Sequence, residues 1–228
     1  TKVHAEGDTD IPRMQAGKLA GQFFAAYVPP NHKHPAGFAL AQIALMRDIL
    51  KRHADVFRPG LSASDVEAAK AEGRIALFMT IENGSALDNE LDSLDAYYDL
   101  GVRLMTLCHN GSHDWCDSAT DAPKHNGLTA FGKEVIGRMN KLGMVVDLAH
   151  VSPKVMHDTL DVTSAPVVWS HSNAFSLCDH PRNVPDDVLD RVAGNGGVVM
   201  ATFVPDFINQ ASRDWHKPAK DQYGKTPE

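Results

Sequence analysis

Four apolar runs of this chain each lead directly into a residue that can bind a metal or exchange a proton. These residues are Glu82, His109, His150 and His171. In a parallel barrel the carboxyl ends of all strands open at one mouth, so residues that lie far apart in the sequence converge there. The pattern therefore predicts a metal or acid–base site at such a mouth, as in a barrel-type metal-dependent hydrolase.

The composition is that of an ordinary globular domain. With 228 residues the chain is long enough to bury a substantial core, and a single α/β domain is expected. A formal net charge of −7 argues against a general binder of nucleic acids or membrane surfaces. No apolar stretch approaches the roughly 18–20 residues that span a bilayer. The three cysteines lack the spacing of a zinc ribbon or a disulfide framework.

Hydrophobic periodicity predicts strands that alternate with helices. The predicted strands are Gln22–Val28, Ile75–Ile81, Val102–Cys108, Met144–Ala149, Pro166–Ser170 and Gly197–Phe203. The predicted helices are Phe38–His53, a short helix from the capping box Ser64-Asp65-Val66-Glu67 to Gly73, Leu91–Leu100, Ala130–Leu142, a helix that begins at Ser152-Pro153, and Pro185–Ala193. Helices between strands indicate a parallel sheet with both faces covered.

A closed barrel of this class needs eight strands, and the pattern provides six. The polar segments Thr1–Asp10 and Gln210–Glu228 predict no further strand. Either the sheet is open, or two strands of a barrel lie outside this chain.

From Thr9 to about Ile208 the sequence resembles the membrane dipeptidase (renal dipeptidase) family, zinc peptidases of the amidohydrolase superfamily. The strongest matching segments are Val146-Asp147-Leu148-Ala149-His150-Val151-Ser152 and Trp169-Ser170-His171-Ser172. Further matches include Ile81-Glu82-Asn83-Gly84, Leu104-Met105-Thr106-Leu107-Cys108-His109-Asn110 and Arg182-Asn183-Val184-Pro185-Asp186-Asp187. Their order along the chain makes the resemblance specific.

The resemblance implies a (β/α)8 TIM-like barrel, of which this chain covers about six of the eight strands. In that family the first strand carries a zinc-binding His-x-Asp pair and the last carries a catalytic aspartate. His4-Ala5-Glu6 is not His-x-Asp, and no aspartate-rich strand follows Phe203. We therefore expect residues 1–228 to form one metallo-dependent hydrolase barrel domain that is incomplete at both ends.

The resemblance also assigns roles to the candidate residues. Glu82 would bridge two zinc ions, and His150 and His171 would be further zinc ligands, which suits the preference of zinc for imidazole and carboxylate donors. His109 would face the substrate as a catalytic residue that polarises the scissile carbonyl. Arg182 would bind the free carboxylate of a dipeptide through its planar guanidinium.

Asp147 and Phe207 receive no catalytic or metal-binding role. Asp147 lies within a predicted strand, and we expect it to orient a neighbouring residue instead of binding metal. Phe207 stands where we expect the family to place a tyrosine that contacts the substrate.

The predicted function is a zinc-dependent dipeptidase in which a metal-activated hydroxide attacks the peptide bond. The alternatives are another hydrolase of the amidohydrolase superfamily, a catalytically inactive relative that acts as a binding module, and a zinc-free structural domain. The expected partner is a small dipeptide, with no nucleic acid and no transmembrane segment, and a homodimer remains open. The resemblance favours a periplasmic or extracellular location and leaves a cytoplasmic one open.

Overall fold

The computed structural model describes residues 7–223 as a parallel sheet with helices between its strands. The strands are β1 Gly21–Tyr27, β2 Phe57–Pro59, β3 Ile75–Glu82, β4 Val102–Thr106, β5 Val145–Asp147, β6 Val168–Trp169 and β7 Val198–Val199. The helices are α1 Ile11–Ala16, α2 Pro35–Arg52, α3 Ala63–Ala71, α4 Ser93–Asp99, α5 Ala130–Leu142, α6 Pro153–Val162, α7 Asp186–Asn195, α8 Pro205–Ile208 and α9 Gln210–Tyr223, with a 3₁₀ turn at Gly84–Leu87.

The strand order is β1-β3-β4-β5-β6-β7, and β2 pairs with the beginning of β3. All pairs are parallel, and the sheet curls into an incomplete (β/α)8 barrel, as predicted. Every connection between consecutive strands from β1 to β7 carries a helix, including the short connection from β2 to β3, which carries α3.

The register brings the carboxyl ends of the strands level with each other. Tyr27 pairs with Glu82, Glu82 with Thr106, and Thr106 with Asp147, so these four residues form a row across one edge of the sheet. The turns that follow this edge carry the candidate residues, and the fold therefore collects them at one mouth.

All six predicted strands are present, although most are shorter than the apolar runs that predicted them. The run Gly197–Phe203 forms only the two-residue strand β7, whose one neighbour in the described sheet is β6. Strand β2 was not predicted, because three residues that end in a proline show no usable periodicity. The count of six strands was therefore too low by one for the described part of the chain.

Among the helices, α5 begins and ends where the sequence predicts, with Thr129 as N-cap and Gly143 in the left-handed region at its end. Helix α6 likewise begins after the N-cap Ser152 with Pro153 in its first turn. The predicted capping box was wrong by two residues. Ser62 is the N-cap of α3, and the Asp65 carboxylate accepts its backbone N–H at 2.9 Å, because aspartate fills the place usually held by glutamate.

The polar chain ends differ from the prediction in one respect. Gln210–Tyr223 forms no strand, as expected, but it forms helix α9. Asp10 caps helix α1, whereas the segment His4-Ala5-Glu6 lies outside the described residues. Within the described chain, no helix combines the length and apolar character needed to cross a membrane.

The buried side chain of Trp115 anchors the long loop after β4 at the mouth of the sheet. The Trp115 side chain is fully buried, and its ring lies against the start of the 3₁₀ turn that follows β3. Asp117, also fully buried, accepts the backbone N–H groups of Lys124, His125 and Gly127. These hydrogen bonds outweigh the effect of burial, which alone would raise the pKa of Asp117, and hold that pKa below its usual value.

We predict that Gly84→Ala destabilises the fold. A Cβ at this position would lie 2.5 Å from Trp115 Cζ2 and 2.6 Å from the Leu107 carbonyl oxygen, so the ring or the backbone must move. Overpacking of this kind costs about 1–3 kcal/mol in unfolding free energy, which urea denaturation measures. Gly137→Ala, inside α5 with open space around it, is the matched control and should gain up to about 1 kcal/mol. Equal midpoints for the two variants would contradict the close approach at Gly84.

Candidate metal centre

Three ligand atoms converge at the mouth of the sheet, one each from Glu82, His150 and His171, and all lie within 4.8 Å of one another. His150 Nε2 is 3.2 Å from Glu82 Oε1, and His171 Nε2 is 3.8 Å from the same oxygen. The two Nε2 atoms are 2.9 Å apart. In the described part of the chain, this is the one such grouping of histidine, cysteine and carboxylate ligands.

The outer nitrogens of both histidines have partners that fix the tautomers. His150 Nδ1 lies 3.0 Å from the side-chain oxygen of Asn110, which can only accept, so this nitrogen carries the hydrogen. His171 Nδ1 lies 2.8 Å from Ser170 Oγ, whose own hydrogen is donated to Asp147 Oδ2 at 2.6 Å. His171 Nδ1 is therefore also the donor, and each Nε2 carries a lone pair.

Two lone pairs that face each other at 2.9 Å repel unless a cation lies between them. A proton is a poor candidate, because burial lowers the pKa of both His150 and His171, and the nearby Arg182 guanidinium lowers both further. Two neutral imidazoles and one carboxylate are a common zinc donor set. The arrangement of these three residues fits a metal ion.

Asp147 fixes the residues around the site through four hydrogen bonds. Its fully buried carboxylate accepts the backbone N–H groups of Ala149 and Ser170 at 3.0 and 2.9 Å, and the hydroxyls of Thr106 and Ser170 at 2.6 Å each. Through Ser170 it fixes the tautomer of His171. The expectation that Asp147 orients a neighbour fits these contacts, because both of its oxygens are used by the protein.

The backbone at two site positions adopts a conformation that is unusual for residues other than glycine. His150 has φ 72° and Asn83, next to Glu82, has φ 99°. The first is held by Ala119, whose N–H donates to the His150 carbonyl at 2.8 Å. The second is held by the Asn83 side chain, which donates to the Val28 carbonyl at 3.0 Å. Such strain persists only where surrounding contacts enforce it, and it is concentrated at functional sites.

His109 lies beside the three-residue group without joining it. Its Nε2 is 3.8 Å from Glu82 Oε1, and its ring centroid is 4.1 Å from that of His150. Burial lowers the pKa of His109, although Glu82 opposes this effect, so the imidazole is neutral near pH 7. His109 Nδ1 is buried and has no hydrogen-bond partner among the described residues.

Arg182 is buried within the same mouth, with 6% of its surface exposed. It donates through Nη2 to the His171 carbonyl at 3.3 Å, and its guanidinium lies 5.3 Å from the centre of the Phe207 ring. Burial lowers the pKa of Arg182 to about 10, with Glu82 and Asp147 opposing the effect, so the side chain remains charged at neutral pH. Arg182 Nε is buried without a partner among the described residues.

A cavity of about 460 Å³ runs along the inner face of the sheet to Glu82 and His171. Its walls include Phe23, Leu104 and Met200, which are apolar. Glu82 and His171 therefore border this cavity in the described part of the chain.

The structure brings all five candidate residues, Glu82, His109, His150, His171 and Arg182, to one mouth. Sequence reasoning missed Asn110 and Ser170, which fix the histidine tautomers, and Thr106, which binds Asp147. All three lie inside the motifs that carry the resemblance. Their polar side chains at the ends of apolar strands were the signal that could have found them.

Comparison with known proteins places this fold and site in a family. The sequence model described as "Membrane dipeptidase (Peptidase family M19)" matches residues 1–222. The chain therefore belongs to the membrane dipeptidase family, as the motifs predicted. An uncharacterised dipeptidase from Schizosaccharomyces pombe is 39% identical over 221 residues, which cover 90% of this chain and 53% of that protein. The chain thus spans about half the length of this curated relative.

Solved structures agree with this assignment. The probable dipeptidase PvdM from Pseudomonas aeruginosa is 25% identical and superposes with a TM-score of 0.86 over 100% of this chain and 62% of its own. A metallo peptidase from Rhodobacter sphaeroides, liganded with a phosphinate mimic of the dipeptide L-Ala-D-Ala, is also 25% identical, with a TM-score of 0.80 over 91% of this chain and 68% of its own.

We predict that Asp147→Asn strongly destabilises the protein. One carboxylate oxygen accepts two backbone N–H groups and the other accepts two hydroxyls, so the amide oxygen of asparagine can stay on the backbone N–H groups only if its NH₂ faces the hydroxyls. The hydroxyls must then rotate to accept, and the Thr106 hydroxyl hydrogen loses the partner it has in the described structure. Each buried donor left unpaired costs about 1–3 kcal/mol, measured as a fall in unfolding free energy. Asp161→Asn removes an exposed ion pair with Arg191 and is the control, with an expected change below about 1 kcal/mol. Similar losses in the two variants would contradict the role of Asp147.

Proposed function

We propose that this chain forms the metal-binding and substrate-binding part of a zinc-dependent dipeptidase, within one hydrolase barrel domain. The observation that carries the proposal is the convergence of Glu82, His150 and His171 with two unprotonated Nε2 atoms facing each other. Family membership supports the activity, and the phosphinate dipeptide mimic bound by the Rhodobacter sphaeroides relative supports a dipeptide as substrate.

Glu82, His150 and His171 would hold zinc, and Glu82 would also help to hold a second ion. Bound zinc would supply an acidified water as nucleophile and would polarise the scissile carbonyl. The protein's own part is to keep both imidazoles neutral through burial and to keep their Nδ1 atoms protonated through Asn110 and Ser170.

His109 would act on the substrate. A neutral imidazole that donates one hydrogen bond can stabilise negative charge on the carbonyl oxygen without competing for the metal. The position fits this role, because His109 lies next to His150 and Glu82 but its ring has no hydrogen bond to any residue that the structure describes.

Arg182 would bind the terminal carboxylate of the substrate. Its guanidinium is charged and buried, and it makes one hydrogen bond through Nη2 within the described chain. A buried cation with free donors favours an anionic ligand, and the planar fork matches a carboxylate. Recognition of that group would restrict the enzyme to short peptides with a free carboxyl end.

The function is tested by measuring zinc and dipeptide hydrolysis together on the full-length protein. We expect zinc to copurify, chelation to abolish hydrolysis, and added zinc to restore it. Alanyl-alanine in its L,L and L,D forms is a suitable first substrate, with N-acetylated amino acids and lactones as competing substrate classes. Activity on N-acetylated amino acids or lactones but not on dipeptides would identify another amidohydrolase. Zinc binding without any hydrolysis would favour a binding module.

We predict different effects for the ligands and for His109. His150→Ala and His171→Ala should lower both zinc content and turnover, because each removes a direct bond to the metal. His109→Ala should keep its zinc and lose about 10²–10³ in turnover, the usual effect of deleting one oxyanion donor. Zinc analysis and kinetics on the same preparations provide the comparison. A His109→Ala protein that lacked zinc would show that this residue is a ligand.

A separate prediction concerns Arg182. Arg182→Lys should chiefly lower kcat/KM for dipeptides with a free carboxylate, because lysine retains the charge but cannot provide the planar pair of donors. The corresponding dipeptide amides, which we expect to be poorer substrates because they lack the carboxylate, should lose little. The ratio of the two kcat/KM values is the measurement. An equal loss on both substrates would mean that Arg182 does not recognise the carboxylate.

A further inference from the structure

Tyr27 is the last residue of β1 and lies in the same row as Glu82, yet none of the roles above involves it. In a parallel pair, residues in register point to the same face of the sheet, and Tyr27 is in register with Glu82. Its ring reaches His109, with the two ring centroids 4.7 Å apart and the planes at 63°. This is the edge-to-face arrangement that aromatic rings prefer.

The imidazole of His109 is held by rings and not by hydrogen bonds. Its Nδ1 is buried without a partner among the described residues, and its Nε2 is 3.8 Å from Glu82 Oε1, beyond hydrogen-bond range. The His109 ring also lies against the His150 ring, with the centroids 4.1 Å apart and the planes at 35°. Ring contacts with Tyr27 and His150 are therefore what surrounds the imidazole among these neighbours.

The backbone of Tyr27 is well fixed, unlike the His109 side chain. The Tyr27 carbonyl accepts the side-chain N–H of Gln42 from α2 at 2.7 Å, and the next residue, Val28, donates its N–H to the Glu82 carbonyl at 3.0 Å. Burial raises the pKa of the Tyr27 hydroxyl and the nearby Glu82 carboxylate raises it further. The hydroxyl has no hydrogen-bond partner among the side chains that the structure describes, so the contact between Tyr27 and His109 is made by the ring.

We propose that Tyr27 is a positioning residue whose ring holds the His109 imidazole in the orientation that faces the substrate. The expected effects on kcat rest on the proposed function. The expected effect on the orientation of His109 rests on the geometry alone. Because His109 has no hydrogen bond to direct it, loss of the Tyr27 ring lets the imidazole rotate, and fewer molecules present its donor to the developing oxyanion.

The kinetic test compares Tyr27→Leu, Tyr27→Phe and Phe24→Leu in the full-length protein. Tyr27→Leu should lower kcat about three- to tenfold, the value of one aromatic pair, with little change in KM and with zinc retained. Tyr27→Phe should recover most of this loss, because it keeps the ring. Phe24 lies on β1 like Tyr27, but its side chain points to the opposite face of the sheet. Phe24→Leu removes an edge-to-face contact with Phe57 of β2 and should leave kcat unchanged.

A double variant shows whether Tyr27 acts through His109. If it does, Tyr27→Leu combined with His109→Ala should be no slower than His109→Ala alone, since there is no imidazole left to position. A further loss by the same factor as in the single variant would overturn the proposal. So would a Tyr27→Leu enzyme with normal kcat, or a Tyr27→Phe enzyme as slow as Tyr27→Leu.

The structural test does not need activity. In protein labelled at its histidine rings, the His109 signal is identified by its loss in His109→Ala. Tyr27→Leu should shift and broaden that signal, whereas Phe24→Leu should not. An unchanged His109 signal in Tyr27→Leu would overturn the proposal even if the wild type hydrolysed no dipeptide. Absence of hydrolysis with a shifted signal would count against the proposed function alone.

Discussion

The buried carboxylate of Asp147 is the interaction on which the rest of the site depends. A carboxylate removed from water is costly unless its oxygens are satisfied, and here four donors satisfy them. These donors come from the end of β4, the residues after β5 and the residue after β6, so the anion joins three neighbouring strands at their carboxyl ends. The same Ser170 hydroxyl that binds Asp147 fixes the tautomer of His171. Under the proposed function, stability and metal affinity would therefore be coupled at one group.

The sequence was sufficient to predict the convergence of Glu82, His150 and His171. Each residue follows a strand-like run, and in a parallel sheet this alone places it at the common edge. The helices α5 and α6 were predicted for a similar reason, because their caps and apolar periods are local signals. Features determined by short-range pattern and a single topological rule were accessible without coordinates.

Other features depend on contacts that no local pattern encodes. The three residues of β2 form a strand because they lie beside β3, and α9 forms from a polar segment without an apolar period. The role of Ser170 depends on a hydroxyl reaching Asp147, which lies 23 residues earlier in the chain. Tyr27 was predicted only as part of the strand Gln22–Val28, because its contact with His109 joins residues 82 positions apart in the sequence. The roles assigned to His109 and Arg182 stay predictions.

Charge balance gives a physical reason why the buried Arg182 lies close to the candidate metal centre. A buried guanidinium near a divalent cation is unfavourable unless anions compensate both. Under the proposed function, the two positive charges of one zinc are balanced by the carboxylates of Glu82 and Asp147, both close enough to Arg182 to affect its pKa. The charge of Arg182 then remains uncompensated until a ligand brings an anion of its own. An uncharged peptide end would leave this charge uncompensated, whereas the terminal carboxylate of a dipeptide would compensate it. Under the proposed function, the burial that keeps the histidines neutral would therefore also favour a substrate with a free carboxylate.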